Sequence, residues 1–282
     1  MHNLGIKQKF SIINGVALFL AISFALFPIF WMLSSSFKPH PEFNLPEPVW
    51  ITSNPTFDNF IAIFMSNENQ LGMMDTSSWR SIISSIVVAT VATAISISIG
   101  FLAAVGIARY RVGGNIIPLQ ILMFRMVPPI AVAIPFGIIG HILGGASAPV
   151  LLIVIYIVYT IPLSTWMLKS FIEQIPPEIE DAALMDGMSR WKAHFKITLP
   201  LIKGGLAATT MFIFIVNWSE GTIAMSLATG QWVTIPVDIA QRHYAPHIQV
   251  ALGVLGATPL IIGGLLIHKH LSRGFTFGAI KG

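Results

Sequence analysis

The densest run of ionisable side chains lies between Glu173 and Lys203. Five of the twelve acidic residues fall between Glu173 and Asp186, and four basic residues fall between Arg190 and Lys203. Clustered charges of this kind can form complementary contacts with another protein. Because long apolar stretches flank the run on both sides, we interpret it as a polar helix–turn–helix that offers a docking surface to a soluble partner.

The residues give little support for disulfides, metal binding, ATP hydrolysis or catalysis by this chain. The sequence has no cysteine, which excludes disulfides and thiolate metal ligation. His243 and His247 are four residues apart, but Pro246 prevents a regular helix between them, and we predict no metal site. No stretch reads Gly-x4-Gly-Lys-Ser/Thr, so the chain is not expected to bind and hydrolyse ATP itself. No catalytic groups cluster at one depth, which argues against a membrane enzyme.

Local rules predict a short helix within the charged run. Pro177 suits the first helical position, because its missing N–H would have no partner there. Glu178, Glu180 and Asp181 then lie in the first turn, where the helix dipole favours carboxylates, and Gly187 ends the helix. Helical spacing places four residues on one face: Ile179, Ala182, Ala183 and Asp186. The two alanines predict a thin face that the groove of another protein can approach closely.

Composition places the rest of the chain in a membrane. Apolar residues make up 54% and charged residues 10% of the 282 positions, and the mean hydropathy is +0.76. A soluble domain carries about 25% charged residues. Five stretches lack Asp, Glu, Lys and Arg altogether: 10–37, 81–108, 126–168, 204–219 and 243–268. Since a spanning helix needs about 20 apolar residues, these stretches indicate helical spans, and their continuous apolarity excludes a β-barrel.

We predict an all-α integral membrane protein with one transmembrane domain over residues 1–282. Six spans are expected, at about 11–33, 81–108, 116–140, 148–171, 204–225 and 249–268. The first is expected to be an uncleaved anchor, because its apolar region is too long for a signal peptide.

The distribution of lysine and arginine predicts the orientation of these spans. With the N-terminus inside, twelve basic residues lie on the cytoplasmic side and three on the outer side. Both termini are therefore predicted to be cytoplasmic, with 172–203 inside and the segments 34–80 and 226–248 outside. The basic pI of 9.5 follows from this asymmetry and does not indicate nucleic-acid binding.

Two charged residues and several prolines fall inside the predicted spans. Arg125 lies about ten residues into the third span, where an unpaired charge is costly, so it either lines a solute pathway or forms a structural pair. Glu220 lies nearer the outer end of the fifth span, in an outer vestibule or among headgroup water. Pro128 and Pro129 interrupt the third span and mark it as a candidate pore wall, as mobile hinges or as static kinks.

The charged run resembles the signature of permease subunits of bacterial ABC importers, which reads Glu-Ala-Ala, three residues, Gly, nine residues, Ile-x-Leu-Pro. Here it reads Asp181-Ala182-Ala183, Gly187 and Ile197-x-Leu199-Pro200, with Asp181 as the one departure. Weaker similarities point to the sugar-importing branch of the MetI-like type, which includes the smaller membrane subunit of maltose transporters. They lie at 28–39, at Pro128-Pro129, at Asn217-Trp218-x-Glu220 and at 278–282.

The resemblance implies that a coupling helix within 176–200, between the fourth and fifth spans, transmits nucleotide-driven movement from an ATP-binding subunit. The residues expected to carry this contact are Glu178, Asp181, Ala182, Ala183, Asp186 and Gly187. The residues expected on the solute pathway are Arg125, Pro128, Asn217 and Glu220. An amphipathic hairpin lying on the bilayer is the alternative, which its acidic first helix disfavours because anionic lipid repels it.

The resemblance also implies which partners the chain has and which membrane it lies in. Its expected partners are a second permease subunit, a dimer of ATP-binding subunits that hold ATP and Mg²⁺, an external solute-binding protein and the lipid bilayer of the bacterial inner membrane. No nucleic acid is expected, and no cofactor in this chain. The alternative function is an ion-coupled secondary transporter of a small polar solute. Such a carrier needs ion-coupling groups at mid-membrane, and Glu220 is off-centre.

Overall fold

The structure is a computed structural model that describes residues 12–65, 78–114, 116–143, 148–228, 232–243 and 245–276. The regular elements in these ranges are helices, with no β-strand among them. The all-helical fold predicted from the sequence is confirmed for this part of the chain. The start of the first predicted span at residue 11 and the closing motif at 278–282 lie outside the described residues.

The described residues form thirteen α-helices and two shorter helical turns. The α-helices are α1 (Ile12–Ser36), α2 (Asp58–Phe64), α3 (Trp79–Tyr110), α4 (Ile116–Arg125), α5 (Pro129–Ile142), α6 (Ala148–Ile172), α7 (Pro177–Met185), α8 (Arg190–Ala193), α9 (Leu199–Leu201), α10 (Lys203–Ser219), α11 (Thr222–Leu227), α12 (Ile235–Gln241) and α13 (Pro246–Thr276). A 3-10 helix covers His40–Asn44, and a π-helical turn covers His194–Thr198.

Four helical stretches among the described residues are long and apolar enough to cross a membrane. They are Asn14–Ser36, Trp79–Tyr110, Pro149–Ile172 and Pro246–Leu266. A fifth is possible if Arg190–Leu201 and Lys203–Ser219, which meet at a bend of 80°, act as one span. The last of the predicted spans begins earlier than expected, at Pro246 instead of residue 249.

The third predicted span, 116–140, is not one continuous helix. It is divided into α4 and α5, with a break at 126–128 and an extended backbone at Pro128 (φ −60°, ψ 138°). Pro129 has no N–H to donate to a preceding turn, and a proline disfavours helical geometry in the residue before it. Neither half alone reaches the length that a span requires.

The fifth predicted span, 204–225, is also divided into two helices. α10 stops at Ser219, Glu220 is extended (φ −73°, ψ 119°), and a separate helix, α11, begins at Thr222. Composition alone does not place this break, because its cause is a capping contact of the Glu220 carboxylate that is described below.

The chain forms two compact units, one drawn from Met1–Ser77 and Arg242–Leu255, the other from Ser78–Gln241 and Gly256–Gly282. In the first unit, the Asn59 side chain ties the end of α1 to the segment after it. Its amide nitrogen donates to the carbonyl oxygens of Ser36 (2.9 Å) and Lys38 (2.8 Å). The Lys38 ammonium lies 4.0 Å from the centre of the Trp31 ring and donates to Ser35 Oγ at 3.0 Å. The buried side chains of Asn59 and Lys38 are thus satisfied by partners within the same unit.

In the second unit, α3 and α6 pack closely along their length. Ser96 Oγ and Thr160 Oγ1 lie 2.8 Å apart, and Ser164 Oγ donates to the Ser96 carbonyl at 2.9 Å. Gly100 allows this approach, because a Cβ at that position would overlap the Ser164 side chain. Small residues and interhelical hydroxyl bonds are the usual means of bringing membrane helices together.

Two apolar clusters hold the second unit together. One joins α3, α5, α6, α11 and α12 through Val88, Ala92, Ala133, Leu152, Ile155, Tyr156, Ile223, Ala224, Leu227 and Val237. The other joins the later parts of α3 and α6 to the residues on either side of the 176–200 segment, through Phe101, Ala104, Val105, Leu168, Ile172, Ile175 and Ile202. The charged 176–200 segment is therefore connected at both ends to an apolar cluster.

Candidate functional site

The two ends of α7 follow local backbone rules. Pro177 occupies the first helical position, and the acidic residues of the first turn lie at the positive end of the helix dipole. At the other end, Gly187 adopts φ +81°, a left-handed conformation that favours glycine. The Gly187 N–H donates to the Leu184 carbonyl and the Met188 N–H donates to the Ala183 carbonyl, both at 3.0 Å. This pair of bonds is a Schellman motif, which ends α7 abruptly and fixes the direction of the following chain.

Most of the residues predicted to contact an ATP-binding subunit are exposed on α7 and its end. Those exposed are Glu178, Asp181, Ala182, Asp186 and Gly187. Ala183 is not: its side chain is 6% exposed. The predicted thin face with both alanines is therefore wrong. Ala183 lies three residues after Glu180, which is also buried, so these two residues form the inner face of α7, and Ala182 remains on the outer face.

The inner face of α7 is anchored by an ion pair that the sequence analysis did not predict. Arg109, near the end of α3, donates from Nε to Glu180 Oε1 at 2.9 Å, and both side chains are 9% exposed. Thr198 Oγ1 donates to the same oxygen at 2.7 Å. Arg109 Nη2 also donates to the Ile175 carbonyl, at 3.1 Å, in the connection between α6 and α7. Moving the buried Glu180 carboxylate away from these partners would leave an uncompensated charge, which is costly. These contacts therefore hold the carboxylate in one position.

His194 completes this buried cluster. Its Nε2 lies 2.8 Å from the Tyr110 hydroxyl, and its Nδ1 lies 3.6 Å from Glu180 Oε2. Burial lowers the pKa of His194, and the nearby guanidinium groups of Arg109 and Arg190 lower it further, while the Glu180 carboxylate opposes them. The π-helical turn places both His194 and Thr198 toward Glu180. Such turns occur often at functional sites.

The residues predicted for the solute pathway are distributed over several helices of the second unit. Arg125 is the last residue of α4, and its side chain lies outside the described part of the structure. Pro128 precedes α5 at the helix break. Asn217 is buried in α10 and donates from Nδ2 to Thr93 Oγ1 on α3 at 3.1 Å. Thr93 lines an open groove of about 630 Å³ between α3 and α10, whose hydroxyl-bearing wall also includes Thr90 and Thr210.

Glu220 is engaged in a capping contact. The Tyr156 hydroxyl donates to its carboxylate and to its carbonyl, each at 2.9 Å. The N–H groups of Ile223 and Ala224, in the first turn of α11, donate to the same carboxylate at 3.0 to 3.2 Å. The carboxylate therefore satisfies N–H groups that have no partner within α11, which requires the break in the backbone at Glu220.

The comparison with known families identifies this arrangement. The family described as "Binding-protein-dependent transport system inner membrane component" matches residues 96–277, well over half of the 282 positions. The chain belongs to this family. The match begins within α3 and includes the 176–200 segment, α10 and α11. The chain is accordingly an ABC transporter permease of the inner membrane, a transport subunit, and the ion-coupled carrier is not favoured.

Several curated relatives are similar to this permease over nearly their whole length. The trehalose/maltose transport system permease protein MalG of Thermococcus litoralis is 32% identical over 286 residues, 98% of each chain. The inner membrane ABC transporter permease protein YcjP of Escherichia coli is 31% identical, over 95% of each chain. The trehalose transport system permease protein SugB of Mycobacterium tuberculosis is 31% identical, over 93% of this chain and 95% of the relative.

A solved structure shows the same fold. A chain from the crystal structure of a bacterial ABC transporter involved in the import of the acidic polysaccharide alginate superposes with a TM-score of 0.72. The superposition covers 92% of the permease and 95% of that chain, at 20% sequence identity. At this identity, the likeness extends to the fold alone.

The cluster around His194 predicts a pH dependence of the 176–200 segment. Because the folded pKa is lowered, the unfolded segment takes up a proton first as the pH falls below the ordinary histidine value of about 6.5. The contribution of His194 to the stability of the folded segment is therefore fully present above about pH 6.5. It is lost progressively as the pH falls from there to the lowered pKa of the folded state. Amide hydrogen exchange over 177–201, corrected for intrinsic rates, measures this loss.

His194→Gln is the informative variant in that experiment. We expect it to flatten the pH dependence of exchange in the segment, while His141→Gln, at an exposed position of α5, leaves it unchanged. An equal pH dependence in the permease and in His194→Gln would show that another group titrates.

The capping role of Glu220 predicts a loss of stability without a loss of solute affinity. Glu220→Ala removes the acceptor of two backbone N–H groups and of the Tyr156 hydroxyl. Hydrogen bonds to a charged group contribute about 1.5–3 kcal/mol, so the midpoint of thermal unfolding should fall clearly. Ser219→Ala, at the neighbouring exposed position, should leave it unchanged. A raised KM for uptake with unaltered stability would instead place Glu220 on the pathway.

Proposed function

We propose that this permease forms half of the pathway by which a sugar or related polyol crosses the inner membrane in an ATP-driven importer. The 176–200 segment contacts an ATP-binding subunit and transmits its movement to the spans. The observation that carries this proposal is the construction of α7: an outer face of exposed acidic and small residues stands on an inner face held by a buried ion pair. A short helix with these two faces can act as a rigid lever.

For α7 to act as a lever, the ATP-binding subunit must lie on the cytoplasmic side of the membrane. Twelve basic residues against three favour cytoplasmic termini and a cytoplasmic 176–200 segment. In this arrangement α4 with α5 forms the third of six spans, and α10 with α11 forms the fifth, predicted at 204–225. A dimer of ATP-binding subunits binds ATP and Mg²⁺ and catalyses ATP hydrolysis.

The solute class is supported by the relatives whose names include trehalose and maltose transport, which match at least 93% of this chain. On the permease itself, the groove between α3 and α10 is mostly apolar, with Thr90, Thr93 and Thr210 among its lining residues. The ring faces of a sugar can contact such an apolar wall. A second permease subunit closes the pathway, and an external solute-binding protein delivers the solute.

Reconstitution into proteoliposomes tests this function. The permease is assembled with its partner permease, the ATP-binding subunits and the solute-binding protein. We expect ATP hydrolysis and uptake to rise when the binding protein carries a disaccharide such as trehalose or maltose, and to stay at the basal rate with an amino acid. Uptake by this chain alone, driven by an ion gradient, would contradict the proposal.

A further inference from the structure

We propose that the Arg109–Glu180 ion pair is the link through which movement of α7 reaches the membrane helix α3. This inference rests on the proposed function, and it assigns positioning roles to two residues outside the predicted contact set. Arg109 touches neither the solute nor the ATP-binding subunit in this account. It acts on transport through Glu180, by holding the lever to a span.

The guanidinium of Arg109 bonds to both sides of the start of α7. It reaches the Ile175 carbonyl before the helix, at 3.1 Å, and the Glu180 carboxylate within the helix, at 2.9 Å. The planar guanidinium presents its donors in a fixed geometry, so two bonds in different directions restrain both the position and the rotation of α7. Thr198 Oγ1 donates to the same carboxylate oxygen as Arg109 Nε, at 2.7 Å.

The covalent connections of α7 are less suited to transmit movement than this contact. On one side, residues 173–176 lie between α6 and α7 outside both helices. On the other side, the chain passes through the Gly187 turn, a π-helical turn and a bend of 80° before α10 continues. Each of these is a place where a displacement can be absorbed by backbone rotation. The ion pair instead joins α7 directly to a helix.

α3 is built to carry a displacement over a long distance. It runs for 32 residues without an internal proline. Near its other end, Ser85 Oγ accepts a hydrogen bond from the Ile235 N–H, where α12 begins, at 2.7 Å. Arg109 and Ser85 are 24 positions apart, which corresponds to about 36 Å along a helix. Between them, Thr93 binds Asn217 of α10, and Ser96 binds Thr160 of α6. A shift of Arg109 therefore reaches the groove and the opposite end of the unit.

The absence of cysteine from the sequence makes a reversible test possible. The double variant Arg109→Cys with Glu180→Cys is assembled with cysteine-free partner subunits in proteoliposomes. A short bifunctional methanethiosulfonate then joins the two thiols, and dithiothreitol releases them. With free thiols, we expect solute uptake per ATP hydrolysed to fall about tenfold, within the range of known coupling free energies. Joining the thiols should restore the ratio, and reduction should abolish it again.

The matched control is the ion pair of Lys169 and Glu173, which lies at the end of α6 at 2.7 Å and is more exposed. The corresponding double cysteine variant should keep the normal ratio in all three states. Uptake per ATP also separates transmission from a purely structural role, because loss of folded permease lowers uptake and hydrolysis together. If the Arg109 and Glu180 cysteine variant does not assemble, Glu180→Gln retains an acceptor for Thr198, and its uptake per ATP is expected to fall as well.

Two results would overturn this inference: a normal uptake per ATP with free thiols, or an assembled variant whose uptake per ATP the cross-link does not restore. Either result would leave the proposed function intact. If the unaltered transporter shows no solute-dependent ATP hydrolysis, the proposed function itself is wrong. The inference then falls with it.

Discussion

Replacing Gly187 with valine abolishes solute uptake while the permease still inserts into the membrane. Gly187 adopts φ +81°, and the left-handed conformation costs an ordinary residue about 1–2 kcal/mol, with more for a β-branched side chain. A Cβ at this position meets no atom within 4 Å, so the cost is in the backbone and not in packing. We expect the Schellman turn to open and the outer face of α7 to lose its orientation. Uptake in proteoliposomes and the amount of permease extracted from membranes are the two measurements.

Two variants control for this result. Gly187→Asn should retain much of the uptake, because asparagine tolerates the left-handed conformation better than other side chains. Gly114→Val introduces the same strain at another open position with positive φ (+56°), in the turn between α3 and α4, and should leave the ratio of uptake to hydrolysis unchanged. Normal uptake in Gly187→Val would contradict the role of α7 as a lever.

Replacing Gly100 with valine prevents α3 and α6 from packing, and folded permease is largely lost. A Cβ at Gly100 would overlap the Ser164 hydroxyl and lie 3.2 Å from the Ser164 carbonyl carbon, which belongs to the backbone and cannot turn away. Forcing extra atoms into a packed interface costs about 1–3 kcal/mol or more. Here it also disrupts the hydrogen bond from Ser164 to the Ser96 carbonyl. The amount of monodisperse protein and the midpoint of thermal unfolding in detergent measure the loss.

Gly106 provides the matched control on the same helix. A Cβ there meets only the Val112 side chain, at 3.9 Å, which is ordinary contact. Gly106→Val should therefore leave stability unchanged or raise it slightly, since glycine is a poor helix former. Equal losses in both variants would show that α3 is sensitive to any substitution and that the close approach at Gly100 is not the cause.

Features governed by neighbouring residues could be predicted from the sequence. The start of α7 at Pro177 and its end before Gly187 follow from a missing N–H and from a backbone that only glycine adopts easily. The apolar spans follow from composition over about 20 consecutive positions. Each of these rules needs only residues that are close together in the sequence.

The breaks inside predicted spans were harder to place. Pro128 and Pro129 mark an interruption, but composition alone cannot distinguish a kink in one helix from two separate helices. The end of α10 depends on the Glu220 carboxylate, which turns back onto α11 and binds Tyr156 of α6, 64 residues away. The sequence shows Glu220 as a charge inside a predicted span, and only the fold shows that its carboxylate caps α11.

The anchoring of α7 could not be predicted, because its partners are distant in sequence. Arg109 and Glu180 are 71 residues apart, and Glu180 resembled the other carboxylates of the first turn. One local signal was present: Glu180 and Ala183 are three positions apart and share a face. Had that face been assigned to the interior, a buried glutamate would have required a cationic partner, and Arg109 at the end of an apolar span was a candidate.

Labelling of a single thiol at Ala182 tests the central claim most directly. Because the chain has no cysteine, Ala182→Cys carries one reactive group, on the exposed face of α7. A membrane-impermeant maleimide is applied to right-side-out and inside-out vesicles, with and without bound ATP-binding subunits. We expect labelling only in inside-out vesicles, and protection when the ATP-binding subunits are present. Labelling from the outside, or equal labelling with and without those subunits, would contradict the account of α7 as the surface on which ATP-driven movement acts.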